Sequence, residues 1–245
     1  MLVAYTETGP DTDDQRLNAR PESLLQAEAR PRDFPGGWSV ICDFDGTITP
    51  FDVTDALLTR FAAPEWEAVE AAWVRGDINS RQCMERQVAL LDVAPAELDA
   101  YLDTVPVDGD FPSFVGWCQD MGIGISVLSD GLDYAITRIL SRHGLCLPVT
   151  ANRLVFLPEN RYALDFPHGA PECGSGVCKC RAARKEDGRL LLIGDGRSDF
   201  CFAERAEFVL AKKRRTLLDF CSDKTLPHQA YTDFREVRAL FESWA

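Results

Sequence analysis

The sequence has no run approaching the roughly 18 to 20 apolar residues a helix needs to cross a bilayer. Its start, MLVAYTETGPDTDDQ, is acidic and has no apolar stretch of signal-peptide length. A cytoplasmic protein with no membrane partner is therefore expected. Positive charge is scarce: 26 Lys+Arg face 39 Asp+Glu, a net charge of −13. That removes the broad attraction on which nucleic-acid binders rely, so no nucleic-acid partner is expected. Any phosphate-bearing partner must be small and drawn in by a local cationic site or a metal ion. No internal repeat or low-complexity tract is present, which excludes solenoids. Disulfide stapling is not needed in a chain of 245 residues, and the nine cysteines are an odd count. Five of them (Cys42, Cys83, Cys118, Cys146 and Cys201) adjoin apolar residues and read as small reduced hydrophobes. With 46% hydrophobic and 27% charged residues, the chain can build one core with a sizeable insert, or two small domains.

Residues 1–37 are polar and broken by Pro10, Pro21, Pro31, Pro35 and Gly36-Gly37. They read as an extension with at most one short helix, Glu22 to Ala29. Trp38 to Cys42 is a short apolar run that stops at Asp43, as a buried strand of a parallel sheet would. From Val53 to about Val105 the apolar spacing turns helical: Leu57, Leu58 and Phe61, then Trp66, Val69 and Trp73, then Met84, Val88 and Leu91. Pro64, Gly76 and Pro95 divide this stretch into about four helices. Beyond it the pattern predicts a helix over Phe114 to Met121, a strand over Ile123 to Leu128 and a helix over Ala135 to His143. A hairpin over Asn152 to Phe166 should turn at Pro158-Glu159-Asn160, with strands at Leu190 to Ile193 and Phe208 to Leu210.

Three buried strands thus end in polar, glycine-bearing turns: Asp43-Phe44-Asp45-Gly46-Thr47, Ser129-Asp130-Gly131 and Gly194-Asp195-Gly196-Arg197-Ser198-Asp199. In an open parallel sheet ligands bind beyond the carboxyl ends of the strands, so the three turns should converge on one site. Any one Asp-Gly pair has a bland explanation as a turn, but three at strand ends do not.

With Lys179, these turns resemble the four motifs of the haloacid dehalogenase superfamily of phosphohydrolases, over the chain from about Trp38 onward. The resemblance implies an α/β fold, a Rossmann-like core with a parallel sheet (38–49 and 111–245) and an α-helical cap of the C1 type at 50–110. It also implies Mg²⁺-dependent hydrolysis of a small phosphorylated metabolite. Asp43 would attack phosphorus, giving an aspartyl-phosphate that water later hydrolyses. Asp45 would protonate the leaving group and then activate that water. One Mg²⁺ per site is expected among Asp43, Asp45, Asp195 and Asp199, with Asp43, Asp195 and the carbonyl of Phe44 as direct ligands. Asp199 would hold a metal-bound water or orient Lys179. Ser129, Asp130 and Gly131, with Gly46 and Thr47, would hold phosphate oxygens, and Lys179 would offset developing charge. Lys179 lies in GVCKCRAARK, where Arg181, Arg184 and Lys185 can equally form a solvated helix face, so Arg181 stays open as the substitute.

Within the superfamily the chain resembles the 2-hydroxy-3-keto-5-methylthiopentenyl-1-phosphate phosphatases and the related phosphoethanolamine and phosphocholine phosphatases. The residues that carry this are Phe61 to Trp66, Pro167-His168, Cys178-Lys179, Leu226-Pro227-His228, Tyr231 and Asp233-Phe234. Asp130 departs from the pattern, which has glycine there. Three positions speak to substrate. Asp52 matches the acidic residue that meets the ammonium in phosphoserine phosphatases, or simply caps the following helix. Gln87 replaces their carboxylate-clamping arginine, which argues against phosphoserine, and Arg197 is a further substrate contact. A phosphoserine- or phosphoethanolamine-type phosphatase, a phosphotransferase and a non-catalytic binding protein remain as alternatives. A binding module, however, has no need of a nucleophile and an acid together. His168, Cys173, Cys178 and Cys180 lack the paired C-x2-C knuckle of structural zinc sites, so a reduced loop leads, with zinc or a disulfide open. The basic run Lys212 to Arg215 reads as a solvated face, with a patch beside the phosphate entrance as the alternative.

Overall fold

Apolar runs of four to nine residues make the frame. In the computed structural model, which describes residues 30–34, 36–183 and 188–245, they form β1 (Trp38–Cys42), β2 (Gly124–Leu132), β3 (Val149–Leu157), β4 (Arg161–Asp165), β5 (Arg189–Gly194), β6 (Phe208–Lys212) and β7 (His228–Tyr231). The sheet order is β4-β3-β2-β1-β5-β6-β7. Every pair is parallel except the β3/β4 hairpin, which turns where Glu159 and Asn160 both adopt positive φ, the twist-matched geometry of a tight hairpin. β1 is central, paired with β2 and β5, so its carboxyl end delivers Asp43 to the middle of the sheet edge. The helix expected over Glu22 to Ala29 lies outside the described residues.

Between β1 and the return to the sheet come α1 (Val53–Phe61), α2 (Trp66–Val74), α3 (Ser80–Val88) and α4 (Pro95–Leu102). Local chemistry starts three of them. The Asp52 carboxylate accepts from the Asp55 N–H at the head of α1, Asn79 and Gln82 form a reciprocal capping box on α3, and Pro95 opens α4. The rest of the chain adds α5 (Phe111–Asp120), α6 (Asp133–Arg142), α7 (Lys179–Ala182), α8 (Phe200–Ala203), α9 (Thr216–Asp223) and α10 (Phe234–Trp244).

Two boundaries differ from expectation. α5 begins at Phe111 because Pro112 fits its first turn. β2 continues through Ser129-Asp130-Gly131 to Leu132, which pairs with Asn152 across a register shift. The second turn is therefore an irregular strand end. Cys146 is exposed and Cys201 half-buried, so neither packs as a core hydrophobe, whereas Cys42, Cys83 and Cys118 do.

One face of the sheet is covered by α5 and α10 through an aromatic cluster centred on Phe241. Its ring centroid lies 4.8 Å from Phe34, 5.1 Å from Phe114, 5.9 Å from Trp117 and 5.3 Å from Trp244. The same apolar cluster runs without a break into Leu57, Leu58, Val88 and Leu98 of α1, α3 and α4. Phe202, Leu217 and Cys221 cover the other face. Phe241→Ala should cost about 3–5 kcal/mol in urea denaturation, as truncation of a large buried aromatic does. A loss below about 1 kcal/mol would show that the cluster is not a keystone of this face.

Candidate active site

The turn after β1 is shaped by what must fit beside it. Gly46 has φ +73°, and a Cβ there would run into the Asp195 carboxylate; a Cβ on Gly131 would meet the Asp45 carboxylate. Glycine at both positions lets side chains from three strand ends share one small space.

Lys179, 1% exposed, lies at the centre of that space. Its Nζ is 2.8 Å from Asp43 Oδ1 and 2.7 Å from Asp199 Oδ1, and it donates to Ser198 Oγ at 3.2 Å. Arg181 instead pairs with Glu172 on the surface, so the geometry selects Lys179 as the cation; Arg184 and Lys185 lie outside the described residues. Burial opposes the lysine's charge, yet Asp199 and Asp43 hold it well above its ordinary range. Desolvation and then Asp199 push Asp43 up, and Lys179 pulls it back. Asp199 Oδ2 accepts from the backbone N–H groups of Asp195 and Gly196 at 3.2 and 3.3 Å. It is the second of the two expected roles, orienting Lys179, that these bonds support.

Asp45 has different surroundings. Its Oδ1 accepts from the Val53 N–H at 2.8 Å and its Oδ2 from the Ser129 hydroxyl at 3.5 Å, while Ser129 Oγ accepts from the Gly131 N–H at 3.0 Å. Burial, with the Asp52 charge added, pushes Asp45 up to about 8. Burial pushes both carboxyl groups up, but only Asp43 pairs directly with the lysine, a difference of surroundings that can let two carboxyl groups two residues apart serve different ends.

Carboxylate oxygens of Asp43, Asp195 and Asp199 lie within 4.8 Å of one another. Such hard oxygen donors suit Mg²⁺. Of the expected ligand set, the Phe44 carbonyl accepts from the Thr49 N–H at 3.0 Å, and the Asp45 side chain is turned toward Val53 and Ser129. Thr47 is buried and does not line the pocket, whereas Gly46 does. Two residues of the basic run reach the site, which favours the alternative to its reading as a solvated face. Lys212 Nζ donates to the Gly46 carbonyl at 2.7 Å and Arg215 Nε is 3.6 Å from Asp195 Oδ2. Lys212 ends a parallel strand, the same signal that located the other turns. Desolvation and Asp199 raise Asp195 to about 6, with Arg215 and Lys212 opposing.

Asp43, Asp45, Ser129, Asp195, Arg197 and Arg215 line one side of a cavity of about 440 Å³ whose other wall is Asp52, Asp55, Glu70, Trp73, Met84 and Gln87 from the α1–α3 segment. Gln87 is 3% exposed, and its Nε2 donates to Glu70 Oε2 at 2.9 Å. Asp130 acts as a brace as well as lining the cavity. Its Oδ1 accepts from the Val177 N–H at 2.8 Å and Asn152 Nδ2 at 3.1 Å, and its Oδ2 from the Ser80 hydroxyl at 3.3 Å. The cysteine loop does not form the considered zinc set. His168 is exposed, and among the described residues no three donors there come within metal-holding distance of one another.

A central parallel sheet with an acid pair at its middle strand, a buried lysine and further acids from the next strand defines an α/β protein with a carboxylate-built site. The chain belongs to the haloacid dehalogenase-like hydrolases, whose family model matches residues 40–204. It is 32% identical over 206 residues to a 2-hydroxy-3-keto-5-methylthiopentenyl-1-phosphate phosphatase of Geobacillus thermodenitrificans, covering 81% of this chain and 92% of that protein. Among solved structures it is similar to a haloacid dehalogenase family hydrolase from Salmonella enterica subsp. enterica serovar Typhi (TM-score 0.69, 18% identity, 88% of this chain and 75% of that one). It is also similar to a phosphoserine phosphatase from T. onnurineus (TM-score 0.64, 17% identity, 88% and 100%). It is a phosphatase of this family.

The crowded carboxyl groups give a stability prediction. Asp45 and Asp195 titrate near 8 and 6 in the fold, against an ordinary value of 3.8. Between those limits the metal-free folded state binds more protons than the unfolded one, so stability falls as pH rises. Metal-free protein should melt at a higher temperature at pH 5 than at pH 8, and Mg²⁺ should restore part of the difference at pH 8. A melting temperature indifferent to both would contradict the assignment of these acids.

Proposed function

We propose that this protein is a Mg²⁺-dependent phosphomonoesterase of the cytoplasm, acting on a small phosphorylated metabolite through an aspartyl-phosphate on Asp43. The single observation that carries the reading is the contrast between Asp43, paired with Lys179 at 2.8 Å, and Asp45, which accepts instead from the Val53 N–H and the Ser129 hydroxyl. Asp43 attacks phosphorus in line; Asp45 gives its proton to the leaving alkoxide and later takes one from the water that cleaves the acyl-phosphate. Lys179 offsets charge on the transferring group. Ser129 orients Asp45 and, with the Gly131 amide and the Gly46 turn, borders the phosphate. Asp43 and Asp195 would hold Mg²⁺ directly, with Asp199 behind them; when bound, the ion neutralises phosphate charge. The α1–α4 segment serves as a cap that shields the reaction from water. A non-catalytic role leaves the acid and nucleophile pair without a purpose.

The names of the relatives point to a methylthiopentenyl phosphate as substrate. One observation favours a second reading, an amine-bearing phosphate. The cap wall carries Asp52, Asp55 and Glu70 with no lysine or arginine among its cavity-lining residues. Phosphoserine fits poorly, because Gln87 stands where a clamp is needed and Glu70 already engages it.

A panel of phosphorylated metabolites assayed for Mg²⁺-dependent phosphate release tests both. Asp43→Asn should retain less than about a thousandth of the activity, and a larger residue would exclude the covalent route. Asp52→Ala should lower kcat/KM for amine-bearing substrates about tenfold more than for neutral ones, equivalent to about 1.4 kcal/mol; a common factor for all substrates would remove Asp52 from recognition.

A further inference from the structure

Four thiols adjoin the lysine on which the site depends, and the reaction uses none of them. Cys178 precedes Lys179 and Cys180 follows it, and their sulfurs are 3.5 Å apart. Cys173, on the loop before α7, hydrogen-bonds to the Cys178 thiol, and Cys201 on α8 meets Cys180. All are free thiols. Cys178 is buried and Cys180 half-buried, so a small reagent reaches Cys180 first.

We propose that Cys178 and Cys180 are an oxidative modification site, closing a disulfide across Lys179 by exchange with a low-molecular-weight disulfide and withdrawing the lysine from Asp43 and Asp199. The predicted loss of turnover rests on the phosphatase reading above. In the first step the Cys180 thiolate attacks one sulfur of the small disulfide, whose S–S bond breaks, and one small thiolate leaves and takes up a proton. In the second the Cys178 thiolate attacks the Cys180 sulfur and the second small thiolate leaves. The protein gives up two hydrogens, and the small disulfide is reduced to two thiols.

The geometry allows this bond. Cys178 is the N-cap of α7, with non-helical backbone at ψ 87°, so its thiol is not held on the opposite face of a regular turn from that of Cys180, and the sulfurs, 3.5 Å apart, need only close to about 2.05 Å. Closure makes a small ring that contains Lys179. The first turn of α7 is set by the Arg181 and Ala182 N–H groups donating to the Cys178 carbonyl at 2.9 and 3.0 Å. Drawing the flanking sulfurs together reshapes that turn, and with it the root of the side chain that must reach Asp43. Burial and its thiol neighbours push Cys178 up to about 11, so the second step is favoured by alkaline incubation.

The full chain, reduced and then incubated with glutathione disulfide at pH 8.5, should show a Cys178–Cys180 bond on alkylation and peptide mass mapping. Trypsin cleavage after Lys179 should leave two peptides still joined, and fragmentation of the 162–179 peptide, which holds both Cys173 and Cys178, should find Cys173 alkylated and Cys178 in the bond. Phosphate release from p-nitrophenyl phosphate should fall roughly a hundredfold, the usual loss when a charge-stabilising group is removed, and return with dithiothreitol. Cys180→Ser and, as a second variant, Cys178→Ala should keep their activity in the oxidant, while Cys146→Ser should be inactivated like the parent. Thiols left unlinked, a bond to Cys173 or Cys201 instead, or full activity in the linked protein would overturn the proposal. A reduced protein without phosphatase activity would overturn the functional reading alone, since the mapped bond is read by mass.

Discussion

The buried ion pairs of Lys179 with Asp43 and Asp199 are the constraint around which the site is arranged. Each of these charges would be costly if buried alone, and removing one partner from such a set leaves the others uncompensated. Three acids, Asp43, Asp195 and Asp199, converge within the span that the family model matches, and Lys179 is the cation that reaches two of them from full burial. The backbone serves the same pairing. β1 and β5 lie side by side, so Asp43 and Asp195 leave adjacent strands in the same direction. The Asp195 and Gly196 amides fix the Asp199 carboxylate that in turn fixes the lysine.

That arrangement also explains why Asp45 can differ from its neighbour. Asp45 is nearer the α1 end of the cavity, where its hydrogen bonds come from Val53 and Ser129 and the nearest added charge is the like charge of Asp52. Two environments a few ångströms apart, one paired with the lysine and one beside the like charge of Asp52, distinguish the two carboxyl groups without any difference in residue type. Gly46 and Gly131 make this possible by leaving room for the carboxylates.

Much of this was legible because the chemical half of the site is local. Asp43, Asp45, Asp195 and Asp199 occur in short turns directly after apolar strands, and the rule that parallel sheets bind ligands at strand ends brings those turns together without tertiary detail. The four helices of the insert could be read from apolar spacing and from Pro64 and Pro95. What escaped was set by long-range contacts. Lys212 and Arg215 read as solvent-facing charge, because four consecutive basic residues carry no periodicity to show that two of them reach inward. β7 is short and half-buried, with too little apolar character to register as a strand.

The substrate half of the cavity belongs to that second kind of information, and Asp130 shows how it is built. The residue lies in the irregular end of β2, where the resemblance led us to expect glycine, and its carboxylate ties together Ser80 on α3, Asn152 on β3 and Val177 in the loop before Lys179. Arg81, next to Ser80, reinforces the same junction by donating to the carbonyls of Ala170, Cys173 and Ser175. A glycine at 130 would leave Ser80 and the Val177 amide without these bonds. The helical wall that faces the substrate is thus positioned by the strand that also carries Ser129. A change in what the wall recognises and a change in how the phosphate is held are mechanically linked through one residue, so specificity here is a property of the junction between the two halves rather than of the wall alone.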